Sequence, residues 1–272
     1  MRSVKIKEVI DALERFAPLP LQESYDNAGL QVGLTEAEVS GALLCLDVTE
    51  RVVDEAITKG CNLIVAHHPL IFRKLSQVTD ANYVQRTVIK AIKNDIVIVA
   101  MHTNLDAAFG GVNFKIAEKL RLRDVRFFGR EKVVTNPLTD KKVTGGDGVI
   151  GCFDTPLAAD DLILLLKKEF DVECVQANEL LRRDIRTVAL CGGSGSFLLQ
   201  DAINAGADAF ITGEMGYHEF FGHEQEIQLC VIGHYQSEQY TTEVLRDVIE
   251  RDCPGVKCCI SEINTNPIVY FS

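Results

Sequence analysis

Hydrophobic positions recur along the chain in two alternating rhythms. One is helical: Val4, Ile6, Val9, Ile10, Leu13 and Phe16 fall at the spacing of an amphipathic helix that ends before Pro18. The other is a short unbroken apolar run. Ala42–Leu46, Asn62–Ala66, Asp95–Met101, Thr187–Cys191, Ala209–Thr212 and Leu229–Ile232 are of this kind, and runs so short and so apolar predict strands buried on both faces. Helices are predicted between them: Glu50–Lys59, capped by Thr49 and closed by Gly60; Ala81–Asn94; from Gly110-Gly111 to Leu120; Ala158–Phe170; Phe197–Ala205, closed by Gly206; and a helix opened by Glu238 and running to Glu250. The middle of the chain breaks the rhythm. Val125–Phe128, Glu131–Thr135 and Lys142–Phe153 predict short strands with turns at Asn136-Pro137 and Gly145-Gly146, and Val256–Ile260 predicts a last strand. Strands alternating with helices predict an α/β fold with mostly parallel sheets.

The pattern repeats. Aligning Gly60 with Gly206 sets an offset of 146, at which Cys45 meets Cys191, Ala56 meets Ala202 and Ile57 meets Ile203. Both stretches run strand, turn, helix, glycine, strand. At a slightly different offset, 132, His102-x-x-x-Asp106 meets His234-x-x-x-Glu238. The expectation is two similar α/β halves facing each other around a shared site. The first covers residues 1–125, with His67-His68 and His102/Asp106. The second covers 126–272, with Gly213-Glu214 and His234/Glu238, its C-terminal segment open to packing back on the first half.

Polar residues collect where the predicted strands stop. Pro69 lacks a backbone N–H and biases His68 away from helix, so His67 and His68 sit at a strand's C-terminal tip, the edge where open α/β sheets bind ligands. His102, Asp106, His234 and Glu238 follow two other predicted strands, leaving only His218 and His223 of the six histidines elsewhere. Imidazoles and carboxylates brought together suit divalent transition metals. Five or six ligands exceed what one tetrahedral zinc takes, which suggests two ions roughly 3.5–4 Å apart. The nitrogen and oxygen donor set suits Zn, Fe, Mn, Co or Ni without choosing among them. Neighbours on an extended strand point oppositely, so the His-His pair alone says little; its counterpart in the repeat, Gly213-Glu214, has no histidine, so the pair reads as the asymmetric part of a shared site, one histidine to each ion. Gly192-Gly193-Ser194-Gly195 is either an anion cradle made of backbone N–H groups or a tight strand–helix turn; it lacks the lysine of a P-loop. Asp26-Asn27 either points into a pocket or shapes its turn.

Composition narrows the field. The net charge of −11 disfavours nucleic-acid binding and is compatible with binding cations, although Arg182-Arg183 with Arg186 is a local basic cluster. No apolar run approaches the roughly 18 residues of a membrane span, and Met1–Lys7 lacks a signal-peptide core, which points to a cytoplasmic protein. The nine cysteines are scattered, several inside apolar runs, with no C-x-x-C pair; they read as reduced thiols, and Cys253, Cys258 and Cys259 are their only cluster.

Taken together, His67-His68-Pro69, His102-Thr103-Asn104-Leu105-Asp106, Ile211-Thr212-Gly213-Glu214, Gly233-His234-Tyr235-x-Ser237-Glu238 and Asn266-Pro267 resemble the GTP cyclohydrolase I type 2 homologue family, the Nif-three-like dinuclear metal-centre proteins. The likeness runs from Asp26-Asn27-Ala28-Gly29-Leu30 to Asn266-Pro267. It implies two α/β domains with a pair of metal ions between them, in a toroidal homohexamer whose sites face an internal cavity. By motif it implies His67, His68, Asp106, His234 and Glu238 as ligands, with His102 close by. Longer members insert a middle domain, so this chain resembles the short form. Tyr25 stands where the family has Trp, and Phe114 where an acidic residue is common. The function implied is metal-dependent hydrolysis of a nucleotide-like or other small substrate, with His102 or His218 carrying the proton. The alternative is a non-catalytic metal-binding scaffold or regulator that works through protein partners.

Overall fold

The structure is a computed structural model that describes residues 3–271; Met1 and Arg2, ahead of the expected N-terminal helix, and Ser272 lie outside it. The chain forms two compact units, each discontinuous in sequence. The first contains the chain up to Leu105, with Val134–Val143 and Thr241–Ile268; the second contains Asp106–Val133, Thr144–Tyr240 and the tail from Val269. The single division expected at 125/126 differs from this arrangement. A long hairpin and a returning C-terminal segment carry the chain back to the first unit, and Asp106 groups with the second unit rather than with His67 and His68.

In the first unit, helix α1 (Ile6–Phe16) opens with Glu8 accepting a 2.9 Å hydrogen bond from the Lys5 backbone. Strands β1 (Gly29–Val32), β2 (Ala42–Cys45), β3 (Leu63–Ala66) and β4 (Val97–Ala100) alternate with α2 (Glu50–Lys59) and α3 (Tyr83–Lys93). Thr49 and Asn82 cap these helices through side-chain oxygens, and Gly60 closes α2 at φ 68°. The short helix α4 (Thr103–Asp106) follows β4. In the second unit come α5 (Val112–Lys119), most of β5 (Arg123–Thr135) and of β6 (Lys142–Leu157), α6 (Ala159–Glu169), β7 (Gln176–Ala177), β8 (Ile185–Cys191), α7 (Leu199–Asn204), β9 (Ala209–Thr212), β10 (Gln228–Val231) and α8 (His234–Glu238). Helix α9 (Thr241–Asp252) and β11 (Cys258–Ile260) return to the first unit, where α9 lies on α1.

The sheets have the orders β1-β4-β3-β2-β11 and β5-β6-β8-β9-β10-β7. β4, β3, β2 and β11 run parallel with β1 antiparallel at the edge; β8, β9 and β10 run parallel with β7 antiparallel at the edge and β6 antiparallel on the other side. β2, β3, β4, β9 and β10 are buried at every position, which is why β2, β3 and β4 read as continuous apolar runs and β9 and β10 depart from one only at Thr212 and Gln228. Each unit has its own core. Leu43, Ile64, Ile98 and Val52 meet in the first; Phe128, Ile150, Phe210 and Leu229 meet in the second.

The repeat is exact in register. All four β2/β3 pairs, from Ala42↔Leu63 to Cys45↔Ala66, map at an offset of 146 onto the β8/β9 pairs Val188↔Ala209 to Cys191↔Thr212. Gly206 closes its helical segment at φ 72°, as Gly60 does at 68°. Even a side-chain bond recurs: Asn62 accepts from the Ser40 backbone at 2.9 Å, and Asp208 from the Arg186 backbone at 3.0 Å.

Two local expectations fail for identifiable reasons. The short strands expected on either side of Gly129 are one strand, β5, because Gly129 takes φ 76° and passes a kink without ending the pairing. Glu238 closes α8 instead of opening a long helix; α8 and α9 are separate, so His234 and Glu238 share one helical turn. Among the described residues no helix is long and apolar enough to cross a membrane.

Candidate metal centre

Three histidines converge in the first unit at the C-terminal ends of β3 and β4. The extended conformation stops at Ala66, so the alternation expected to separate His67 from His68 no longer applies. Their ring centroids lie 4.8 Å apart, and each is 5.3–5.4 Å from the ring of His102. One nitrogen from each ring falls within 4.8 Å of the others, a spacing that suits a metal ion.

What each ring does with its other nitrogen decides its chemistry. His67 Nδ1 lies 2.8 Å from the carbonyl oxygen of Met101, His68 Nδ1 2.8 Å from Asp47 Oδ1, and His102 Nδ1 2.7 Å from Asp26 Oδ1. Carbonyl and carboxylate oxygens only accept, so Nδ1 carries the proton in all three, and a neutral ring then keeps its lone pair on Nε2. This is the way metal-ligating histidines are commonly oriented. The carboxylates are themselves held. Asp47 Oδ2 accepts from Thr265 Oγ1 at 2.7 Å, and Asp26 Oδ2 accepts from the backbone and hydroxyl of Thr103. Burial raises the pKa of Asp26, but the bonds from His102 and Thr103 outweigh it and bring the group down to about 2. Asp47 is likewise lowered against its burial, chiefly by His68. Asp26 therefore serves the cluster as well as its turn, where Asn27 donates to the Ile71 carbonyl at 2.6 Å.

The second unit builds a matching group around α8. His234 Nδ1 lies 3.0 Å from Glu214 Oε1, and Glu214 Oε2 accepts from Ser194 Oγ at 2.5 Å. His234 Nε2 lies 3.1 Å from Glu238 Oε2, one turn along the helix. With Nδ1 committed to Glu214, Nε2 presents a lone pair toward a carboxylate. Two such atoms at that distance need a positive charge between them, a proton or a metal ion. Burial, and then the carboxylates of Asp106, Glu238 and Asp147, push the Cys191 thiol well above its usual value, so this part of the unit favours cations. Asn113 is buried and ties Asp106 to the glycine loop: its amide nitrogen donates to the Asp106 carbonyl at 3.2 Å, and its oxygen accepts from Gly192 N at 2.9 Å.

The glycine loop is therefore not an anion cradle. Gly192 N is taken by Asn113, Gly193 N by Ser237 Oγ at 2.9 Å and Gly195 N by Thr212 Oγ1 at 3.1 Å. Its glycines make room. A Cβ on Gly193, where φ is +59°, would lie 2.3 Å from Glu238 Oε1 and 3.4 Å from His234 Nε2; one on Gly213 would lie 2.7 Å from Ser237 Oγ.

Among the described residues, His218 belongs to none of the side-chain groups that could hold an ion. It is exposed on a single turn, its ring 5.2 Å from that of Tyr217 and 6.2 Å from that of Phe221. Arg183 pairs with Asp208 and Arg182 with Glu179, so the basic cluster is largely neutralised. Phe114 packs with Phe109 and Phe127, ring centroids 4.7 and 5.2 Å away. Asp47, Asn113 and Thr265 escaped the sequence reading. Asp47 alone left a signal, a polar residue directly after an apolar run; Asn113 and Thr265 act through contacts that only the folded chain creates.

Residues 4–267 match the family model described as Duf34/NIF3 (NGG1p interacting factor 3). The chain is 33% identical over 271 residues to a GTP cyclohydrolase 1 type 2 homolog from Clostridium perfringens (strain 13 / Type A), covering 98% of this chain and 100% of the relative. It is 32% identical over 251 residues to a protein of the same name from Clostridium acetobutylicum, covering 91% and 90%. Among solved structures it is similar to the Staphylococcus aureus hypothetical protein SA1388, with a TM-score of 0.88 and 28% identity over 99% of this chain and 100% of that one.

Proposed function

The chain belongs to the Duf34/NIF3 family, and from that premise we propose that it is a dinuclear divalent-metal protein that hydrolyses a small, nucleotide-like substrate. His67, His68, Asp106, His234 and Glu238 hold the ions. The observation that carries the assignment is the shared tautomer: each strand-tip histidine gives Nδ1 to an oxygen acceptor and keeps the lone pair on Nε2. The donor set is imidazole and carboxylate with no thiolate, which suits Zn, Fe, Mn, Co or Ni.

Divalent ions bound there supply Lewis acidity and lower the pKa of water to near neutrality. The chain's own residues do the rest. Asp26, held by Thr103, keeps the proton of His102 on Nδ1, so Nε2 of that ring is the atom that takes a proton from water or returns one to a leaving group. His102 also has the geometry to serve as a further ligand, since its ring joins those of His67 and His68. His218 is proposed only as a proton carrier to the outside, consistent with its exposure. We place the protein in the cytoplasm and, like the oligomer that the family likeness implies, expect a homohexamer, which light scattering of the purified protein measures directly.

The test is elemental analysis of protein purified without added metal, followed by turnover of GTP, phosphoesters and cyclic amides. Wild type is expected to carry two ions per chain and Asp106→Ala at most one. Full metal content in Asp106→Ala removes the bridging role assigned to it. Metal without turnover of any of these substrates moves the protein to the scaffold or regulator class.

A further inference from the structure

We propose that the C-terminal segment is part of the metal-binding machinery of the first unit, with Thr265 a positioning residue that acts on His68 through Asp47. The inference rests on the assignment of His68 as a ligand.

The motif behind it occurs three times. Thr103 donates to Asp26, which holds His102; Ser194 donates to Glu214, which holds His234; Thr265 donates to Asp47, which holds His68. In each, one carboxylate oxygen takes a hydroxyl and the other takes Nδ1. A carboxylate bonded at both oxygens cannot rotate freely, so the imidazole plane it sets is fixed as well. In the first case the hydroxyl adjoins the histidine, and in the second it lies on the neighbouring strand tip. Only Thr265 comes from far away, 218 residues along the chain from Asp47. The third chain is complete only when the C-terminal segment is in place.

That segment is tied down step by step. β11 pairs in parallel with β2, and Ser261 N donates to the Leu44 carbonyl at 2.8 Å. Glu55 on α2 accepts from Ser261 Oγ at 2.5 Å and from Glu262 N at 2.8 Å, and Lys59 reaches Glu262 at 2.9 Å. Ile263 packs against the core of the first unit. These contacts hold the backbone. Thr265, two residues on, is the point at which the segment touches the histidine cluster's support.

The experiment compares wild type with Thr265→Val, which keeps the volume and removes the hydroxyl, Thr265→Ser, which restores it, and His68→Ala. Each metal-free protein is examined by long-range 1H–15N NMR of its histidines and then titrated with cobalt(II) chloride, followed by visible absorption. His68 is expected to be protonated on Nδ1 in wild type and in Thr265→Ser, and to become a mixture of tautomers in Thr265→Val. Cobalt affinity is expected to fall about 10-fold in Thr265→Val, at the low end for an outer-sphere partner, and to return in Thr265→Ser. An unchanged tautomer and affinity in Thr265→Val, with affinity lost in His68→Ala, overturns the positioning role while leaving His68 a ligand. Wild-type affinity in His68→Ala overturns the ligand assignment and the inference with it. A Thr265→Val protein that misfolds while Thr265→Ser behaves as wild type supports the hydroxyl as the needed group.

Discussion

Gly193→Ala separates a backbone effect from a site effect. Gly193 has φ +59° and Gly206 has φ +72°, so an alanine at either position takes the left-handed conformation, at about 1–2 kcal/mol. In a protein of this size each kcal/mol moves Tm by about 2–4 °C, so both variants should lose about 2–8 °C. There the likeness ends. A Cβ at Gly206 meets nothing within 4 Å, whereas one at Gly193 lies 2.3 Å from Glu238 Oε1 and 3.3 Å from its Cδ. Contact distances for carbon and oxygen put that overlap at roughly 1 Å. Glu238 is 4% exposed and its other oxygen faces His234 Nε2, so the carboxylate can retreat only by abandoning the alignment. Displacing a ligand by that much should weaken metal binding by about 10–100-fold. Cobalt titration alongside thermal scans of Gly193→Ala and Gly206→Ala is the assay. A Tm loss in Gly193→Ala at least as large as in Gly206→Ala, with metal affinity lowered only in Gly193→Ala, is the expected result. Wild-type affinity in Gly193→Ala would show that the glycine is there for the turn and that Glu238 is not a ligand.

Two further predictions concern the scaffold. Cys174 is exposed while Cys45, Cys191 and Cys230 are buried, so iodoacetamide on the native protein should label Cys174 first, read by peptide mass mapping. Burial pushes the Cys230 thiol up to about 12 and raises Cys45 and Cys191 as well. The unfolded chain then releases these protons first, so stability should fall as pH rises above about 9, and Cys230→Ala should flatten that fall in denaturant titrations. Asp208 is lowered from 3.8 despite its burial, by bonds from the Thr187 and Arg186 backbones and from Arg183. Its contribution is present at neutral pH and lost as pH falls through the depressed value. Asp208→Ala should lose about 2–3 kcal/mol at pH 7, and its stability should depend less on pH below 3.8 than that of wild type.

Where one periodicity governed a segment, the fold was legible. β2, β3, β4, β9 and β10 are buried at every position, and all but Thr212 and Gln228 of their residues are apolar because both faces are covered. Helix ends were legible where a single residue type is required, as at Gly60 and Gly206. The domain plan was legible in part: the sequence reading left open a C-terminal segment packing on the first half, but the extent of the return, 241–268, comes with the parallel pairing of β11 with β2, set by topology and by no local signal. The candidate ligands stood out as imidazoles and carboxylates after strands. Of their supports Asp26 and Glu214 were in view; Asp47, Asn113 and Thr265 were not, because they are of types that fill ordinary turns and caps, and only their partners in the folded chain distinguish them.

The repeat explains why the two units differ in chemistry while sharing a frame. At the offset of 146, Asp47 corresponds to Gly193 and His68 to Glu214. In the first unit the tip of the first strand carries the carboxylate and the tip of the second carries the imidazole, so Asp47 orients His68. In the second unit the carboxylate has moved to the second tip, where Glu214 orients the histidine of the third, His234. The first tip, relieved of that task, carries Gly193, whose missing side chain leaves space for Glu238. His102, at the third tip of the first unit, takes its carboxylate from outside the repeated frame, from Asp26 ahead of β1. Glu214 is therefore no degenerate copy of a histidine. It does for His234 what Asp47 does for His68, one strand over, and a Glu214→Ala protein should lose the Nδ1–H tautomer of His234 while His68 keeps its own. Loss of both, or of neither, in the same 15N spectrum would break the correspondence.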